Sequence, residues 1–464
     1  MSRRPLVLAL AFALLPAVAG AEDLMQTYEL ARAGDPQLSA AESTRDATKE
    51  GAVQARANLL PQIAGDATMS KSSTENEGGA SVNPDGSISI GRSETDSTSR
   101  NLGVNVRQMI YDRSNFTNLA SQRALSRASD FTLEAAGDSL ITRTSAAYFN
   151  VLIAIETLSA AEAQETALKK QFDFADKRLE VGLAPITDVH EARAQYDSAR
   201  ANTIVTRNAL EDAYQALAEI TGQTVRNLKG LPDDFKPALP SDQDADAWVA
   251  TAISNNPDLQ AMEEEVISAT ADVDTARAGH WPTLYFNGSY GDQAFWGDRT
   301  NLLNNSRIPT GSESRGPQVG VTLSVPIFSG GATQSRVRQA LATRDVRADQ
   351  LEQQKRAIVR TTRNAYQTLL AGLTEVEARR LALVSARSAY DASQVGLEVG
   401  TRTVLDVLIN QNTLFNAQRE YARAKYTFLQ SRLVLEQSAG TLDGTDVQDV
   451  NRLLTVDAVA QLAP

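Results

Sequence analysis

The chain is written twice. Asp35-Pro36-Gln37-Leu38 returns as Asn256-Pro257-Asp258-Leu259, Ala55-Arg56-Ala57 as Ala276-Arg277-Ala278 and Pro61 as Pro282, all at an offset of 221 residues. Further on, Ala147-Tyr148 returns as Ala365-Tyr366, Leu179-Glu180-Val181-Gly182 as Leu397-Glu398-Val399-Gly400, Asp188-Val189 as Asp406-Val407 and Gly222 as Gly440, at an offset of 218. Two offsets this close across so many pairs imply a tandem duplication with one small length change. The repeats cover residues 22–230 and 241–442. Residues 231–240, with Pro232, Pro237 and Pro240, read as a linker, and residues 443–464 form a tail to which the sequence assigns no role.

Each copy follows one plan. A helical stretch (Leu24 to Asn58; Ala245 to Ala278) ends at a proline, two segments of two-residue period follow around a polar loop, and a very long helical region closes the copy. No proline interrupts residues 113–184 or 327–463. Asp112 to Val181 as one helix would be on the order of 100 Å long at about 1.5 Å per residue, which only coiled-coil packing can stabilise along its length. Val151, Ile155, Leu158, Leu168, Phe172, Ala175 and Leu179 form one stripe, and Ile186, Val189, Tyr196, Leu210, Leu217 and Ile220 a second, after the turn at Gly182 to Pro185. The stripes are thin, so one hairpin alone buries too little and partner helices are required.

The alternating segments read as strands of about ten residues. Leu102, Val104, Val106 and Ile110 oppose Gly103, Asn105 and Arg107; Val319, Val321, Leu323, Val325 and Ile327 oppose Gly320, Thr322 and Ser324. Ile63, Ala67 and Met69 oppose Asp66, Thr68 and Ser70, and Leu284, Phe286 and Tyr290 oppose Asn287 and Ser289. One apolar and one small or polar face suits a membrane barrel with a wet interior, although a soluble sandwich gives the same alternation. Residues 75–96 and 292–315, hydrophilic and rich in glycine and serine, read as outward loops. Four strands cannot close a barrel, and open edges in hydrocarbon leave backbone groups unsatisfied at several kcal/mol each. At least two chains must combine; three give twelve strands and a hollow middle. The long helices would continue the same cylinder, as a conduit.

Met1 to Ala21 carries Arg3 and Arg4, an apolar stretch from Leu6 to Leu15 too short to span a bilayer, and Ala19-Gly20-Ala21 as a cleavage site. This is the pattern of a secretory signal peptide, with Glu22 as the expected mature start. No run of about eighteen apolar residues follows, so no transmembrane helix is expected. The formal charge of −12 becomes −14 once the two leading arginines are removed. A surface this acidic repels phosphate backbones, so nucleic acid is not an expected partner. With no cysteine there is no disulfide, thiolate metal site or thiol nucleophile; His190 and His280, the only histidines, stand ninety residues apart in no ligand spacing. No nucleophile-elbow, P-loop or dinucleotide motif occurs, so neither an enzyme nor a cofactor is expected.

Several segments carry a family resemblance. Glu22-Asp23-Leu24-Met25-Gln26, Ser145-Ala146-Ala147-Tyr148-Phe149-Asn150-Val151-Leu152 and Val181-Gly182-Leu183 running into Ile186-Thr187-Asp188-Val189 are three of them. Ala192-Arg193-Ala194-Gln195-Tyr196-Asp197 and Val399-Gly400-Thr401-Arg402-Thr403 with Leu405-Asp406-Val407-Leu408 are two more. Together, over nearly all of the chain after residue 21 and in register in both repeats, they resemble the TolC family of outer-membrane export channels. The resemblance implies an α+β membrane protein: four strands per chain in a trimeric twelve-stranded outer-membrane barrel, above coiled-coil hairpins forming a periplasmic tunnel closed at its far tip. It implies a homotrimer set in outer-membrane lipid and working with a periplasmic adaptor and an inner-membrane pump of the resistance-nodulation-division, ABC or major-facilitator type. Drugs, small molecules or proteins would pass without chemistry by the duct.

At the tips two readings stand side by side. From the residues, Gly182 and Gly400 give the freedom to leave a helix, and Asp188-x-x-Glu191 and Thr403-x-x-Asp406 have the spacing of capping boxes. By resemblance, Arg402 bonds to Thr187 and Asp188 as a latch, Asp406 sits at the periplasmic constriction, and Gly182, Leu183, Gly400 and Thr401 meet the adaptor. A family tyrosine of the latch is Leu397 here, and the second of two constriction aspartates is Ile409, leaving one ring of three carboxylates. The rival reading from another class is a periplasmic coiled-coil adaptor or scaffold with a small soluble β-domain.

Overall fold

The first helical stretch of each repeat is broken at its proline. Leu24–Gly34 (α1) and Pro36–Ala57 (α2) stand where the pattern predicts one helix, as do Ala245–Asn255 (α5) and Pro257–Ala278 (α6). A proline holds the residue before it extended, and Asp35 (ψ 117°) and Asn256 (ψ 120°) both are. Their side chains then accept the N–H groups of Leu38 (3.0 Å) and Leu259 (3.2 Å), so each break caps the helix that follows. This computed structural model describes residues 23–82, 85–86, 88–183, 185–232, 234–240, 243–302 and 305–458; the expected signal peptide, residues 1–21, lies outside them.

The long regions are the expected hairpins: Arg113–Glu180 (α3) with Ile186–Thr221 (α4), and Ala332–Glu398 (α7) with Val404–Ala439 (α8). Their chains run through two compact units, each drawing on both repeats. The first holds described residues up to 44, 130–261 and 352 onward; the second holds 45–129 and 262–351.

In the first unit the two repeats share one core. Val151, Leu152 and Ile155 of α3 meet Leu217 of α4, Leu369 of α7, and Leu429 and Leu433 of α8, all essentially buried. Each such aliphatic side chain contributes about 1.5–3 kcal/mol by leaving water. Toward the hairpin ends the core thins to Leu168, Ala199 and Leu408, and then to Ala175, Val189 and Ala192 beside Phe172 and Leu179. The predicted stripes hold except at Ile186, which is exposed at the first helical position.

The tail and the linker are parts of this core. Gly444–Asn451 (α9) is capped by Asp443 and buries Val447 and Val450, and its Asn451 accepts the Leu24 N–H at 3.0 Å. Val456–Asp457 (β6) pairs antiparallel with Lys229–Gly230 (β3). The linker is bound down rather than free: Leu231 and Phe235 are buried, and the Tyr426 hydroxyl accepts the Leu231 N–H (3.3 Å) while donating to Glu156 (2.9 Å).

The second unit carries the sheet: Gln62–Val82 (β1), Ile88–Tyr111 (β2), Thr283–Asn301 (β4) and Ser306–Ser324 (β5), antiparallel in the order β1-β2-β4-β5. These strands are about twice the predicted length. The segments read as outward loops, 75–96 and 292–315, are mostly the far halves of the strands. They show no apolar alternation because both faces there are wet: residues 75–78 are exposed throughout, Arg92 pairs with Glu75 at 2.7 Å, and Arg307 pairs with Asp298. Nearer the helices the register lines up the expected faces. Ile63, Val106, Gly288 and Val319 form one row across the four strands, and Gly65, Val104, Tyr290 and Pro317 another. On the opposite face Asn105 bonds Asp66 at 2.7 Å and Asn287 bonds Thr322 at 3.2 Å. The apolar face lies bare, with Ile63 70%, Val319 73% and Val321 61% exposed. Below the sheet, buried Ser121 and Ser268 bond at 2.9 Å, and Arg127 grips Glu264 through two nitrogens at 2.9 and 2.7 Å. Among the described residues no helix is long and apolar enough to cross a membrane.

Candidate functional site: the hairpin tips

The two tips are built alike, 218 residues apart. α3 ends in a 6→1 turn: Leu183 N–H donates to Arg178 O (2.8 Å) and Gly182 N–H to Leu179 O (2.9 Å), with Gly182 at φ +73°. α7 repeats it: Thr401 N–H donates to Gly396 O (2.8 Å) and Gly400 N–H to Leu397 O (3.1 Å), with Gly400 at φ +77°. Among the described residues, chain neighbours aside, no atom lies within 4 Å of where a Cβ would stand on either glycine, so what they require is the left-handed backbone.

The return helices start differently. At α8 the Thr403–Asp406 capping box forms as the spacing predicts. Thr403 gives its N–H (2.9 Å) and hydroxyl (2.8 Å) to the Asp406 carboxylate, and these bonds hold that carboxyl below the usual range. At α4 the predicted Asp188–Glu191 box does not form. Pro185 is the residue before the helix, and Asp188 therefore lies inside the first turn, where its charge meets the positive helix end without capping it. The Thr187 hydroxyl reaches Asp188 at 3.5 Å.

Arg402 is exposed, and its stem lies on α7 at Gly396, where an added Cβ would come within 2.6 Å of Arg402 Cγ. Gly396 is thus a tip residue that sequence reading missed; the signal was a glycine inside an otherwise unbroken helix. Among the described residues no hydrogen bond or ion pair joins Arg402 to Thr187 or Asp188 within one chain. Leu183 is exposed, and so are its neighbours Val181 and Ile186, together with Val399, Leu405 and Ile409 at the other tip. Both tips thus present bare aliphatic side chains to solvent in the single chain. Helical periodicity puts Ile186 in a core stripe, and Val181 and Val399 are not singled out from the sequence as exposed tip residues.

Comparison with known proteins fits this architecture. The model of the family described as outer membrane efflux protein matches residues 27–223 and 248–441, one match per repeat. Outer membrane protein TolC of Escherichia coli (strain K12) is 33% identical over 456 residues, covering 97% of this chain and 89% of that protein. Alkaline protease secretion protein AprF of Pseudomonas aeruginosa is 27% identical, over 92% of this chain and 86% of its own. Among solved structures, the CmeC outer membrane channel of Campylobacter jejuni superposes with a TM-score of 0.74 at 19% identity, covering 94% of this chain and 90% of that one. The chain belongs to the outer membrane efflux protein family.

Proposed function

We infer that three copies of this chain form the outer-membrane export duct of tripartite efflux pumps, of type I secretion, or of both. The observation that carries this reading is the sheet. Among the described residues its strands β1 and β5 have no outer partner, and its lower half is apolar on one face and hydrogen-bonded on the other. Unpaired edges are untenable in hydrocarbon, while three such sheets joined edge to edge satisfy every ladder and put the aliphatic face toward lipid. The helical hairpins line the periplasmic tunnel, and an adaptor and an inner-membrane pump deliver drugs, small molecules or proteins to it. The duct itself does no chemistry.

The tip residues supply the gate. Three Asp406 carboxylates converge as one ring that favours cations at the entrance. Arg402 reaches Thr187 and Asp188 of a neighbouring hairpin when three chains assemble, keeping the tunnel shut; Leu397 in place of a tyrosine makes that latch weaker. Gly182, Leu183, Gly400 and Thr401, with the aliphatic residues around them, meet the adaptor.

Carbonate washing of membranes tests the reading against a periplasmic scaffold. A barrel stays in the membrane pellet and yields a detergent-stable trimer that conducts ions in planar bilayers. A scaffold washes off and conducts nothing.

A further inference from the structure

Beside the shared core of the first unit lies a cleft of about 1340 Å³, walled by α3, α7, α8 and the linker. That is roomier than the roughly 300–1000 Å³ of ordinary small-molecule sites. Phe235, Leu373, Val376 and Leu383 give it an apolar wall. At its edge stands Lys425, 2% exposed. An ammonium has three donors, but the carboxylate beside this one, Glu156, stands 3.5 Å away and already accepts the Tyr426 hydroxyl at 2.9 Å. The rings of Tyr421 and Tyr426 stand with centroids 5.1 and 5.8 Å from the ammonium. A buried cation with so few acceptors is under-solvated, and a further anionic oxygen in the cleft would relieve it.

The rim points the same way. Glu377 is taken by Arg380 at 2.8 Å, whereas Arg387 and Lys236 form no ion pair among the described residues. Once the paired groups are set aside, two cations face one acid, Asp234, in a chain whose formal charge is −12.

We propose that this cleft binds an amphipathic organic anion, a carboxylate or sulfonate head toward Lys425 and an apolar body against Phe235 and the α7 side chains. The linker and both repeats thus make a ligand site apart from the hairpin tips.

The trimer in phosphatidylcholine nanodiscs is titrated with 8-anilinonaphthalene-1-sulfonate, with empty nanodiscs as background and the uncharged N-phenyl-1-naphthylamine as control. The site gives a saturable fluorescence rise with one dye per chain, and the neutral dye does not compete for it. Arg387→Glu with Lys236→Glu weakens the dye roughly tenfold through the lost steering and attraction. Ala163→Trp, an exposed position on the cleft wall, abolishes binding by filling it. Both variants keep the trimer and its conductance, which separates this outcome from a failure of the duct itself. Absence of saturation, equal affinity for the neutral dye, or indifference to both variants overturns the proposal.

Discussion

Thr403 and Asp406 each satisfy the other. The Asp406 carboxylate accepts the N–H and hydroxyl of Thr403 at 2.9 and 2.8 Å, and the Thr403 hydroxyl accepts the Asp406 N–H at 3.2 Å. A ring of three like charges raises the pKa of each member, and these donors oppose that rise. In the proposed constriction the ring would accordingly stay charged at neutral pH. Asp406→Asn keeps an oxygen for the cap and removes only the charge, so the cation preference measured as a reversal potential in planar bilayers should fall toward none. An unchanged reversal potential would take Asp406 out of the constriction. With Ile409 one turn further on, a single ring also predicts weaker block by multivalent cations than in a relative with two.

Arg402 is exposed, and its stem lies where Gly396 lacks a side chain. Arg402→Ser should raise single-channel conductance by loosening the latch. Gly396→Ala should do the same while retaining the guanidinium, since the new methyl displaces the side chain that carries it. If Arg402→Ser conducts like the parent, the residue has no part in closure.

The exposed leucine at the first tip gives a third test. Leu183→Asp puts a charge into an aliphatic docking surface at a site where the chain itself loses no packing. Cross-linking to the adaptor in whole cells should drop severalfold while trimer yield is constant. Equal cross-linking would place the adaptor contact elsewhere.

The duplication was legible from segments recurring at fixed offsets, and the hairpins and the faces of the sheet near the helices because burial imposes a period on the residues that make them. Val104, Tyr290 and Val319 alternate since one face meets lipid, and Val151, Ile155 and Leu158 step by threes and fours since one stripe meets a core. The far halves of the strands carry no such imprint: Glu75, Arg92 and Asp298 lie there among polar residues and pair through the ladder and through ion pairs, not through a buried face. The breaks at Asp35 and Asn256 were available in the dipeptides with proline but were outweighed by the helical pattern on either side. Nothing local shows that Val447 and Val450 close a core begun at Leu24, because that contact joins the two ends of the described chain. At the tips the glycines and the Thr403 cap were readable; the start of α4 was not, because Pro185 moves it ahead of the apparent Asp188 box.

Glu436 sets a pH dependence. Burial pushes its carboxyl up to about 7, with Asp446 and Asp449 adding to the rise and Arg432 at 3.1 Å opposing it. Asp138, raised to about 7 by burial and by Glu134 and Asp258, acts in the same sense. A carboxyl whose folded pKa lies above its unfolded value near 4.5 binds its proton more tightly in the native state. Its contribution to stability is full below the unfolded pKa and declines as pH rises through the folded one. The thermal midpoint of the helical circular-dichroism signal should therefore include a component that falls between about pH 4.5 and 7. Glu436→Gln should flatten that slope, leaving the share of Asp138, and should stabilise the protein at pH 8. A slope identical to the parent's would mean that Glu436 is ionised throughout.

Val321 and Asn287 lie on adjacent strands of one sheet but on opposite faces: Val321 shares the apolar row with Phe286, while Asn287 bonds Thr322. In a barrel the first points to lipid and the second to water. A cation on the lipid face near mid-bilayer costs about 2–4 kcal/mol per chain, and a trimer meets that cost three times. Val321→Arg should therefore abolish recovery of the trimer from outer-membrane extracts, whereas Asn287→Arg should assemble and shift ion selectivity from within. Equal recovery of the two variants would contradict the assignment of faces, and with it the argument that this sheet closes only with its copies around a water-filled bore.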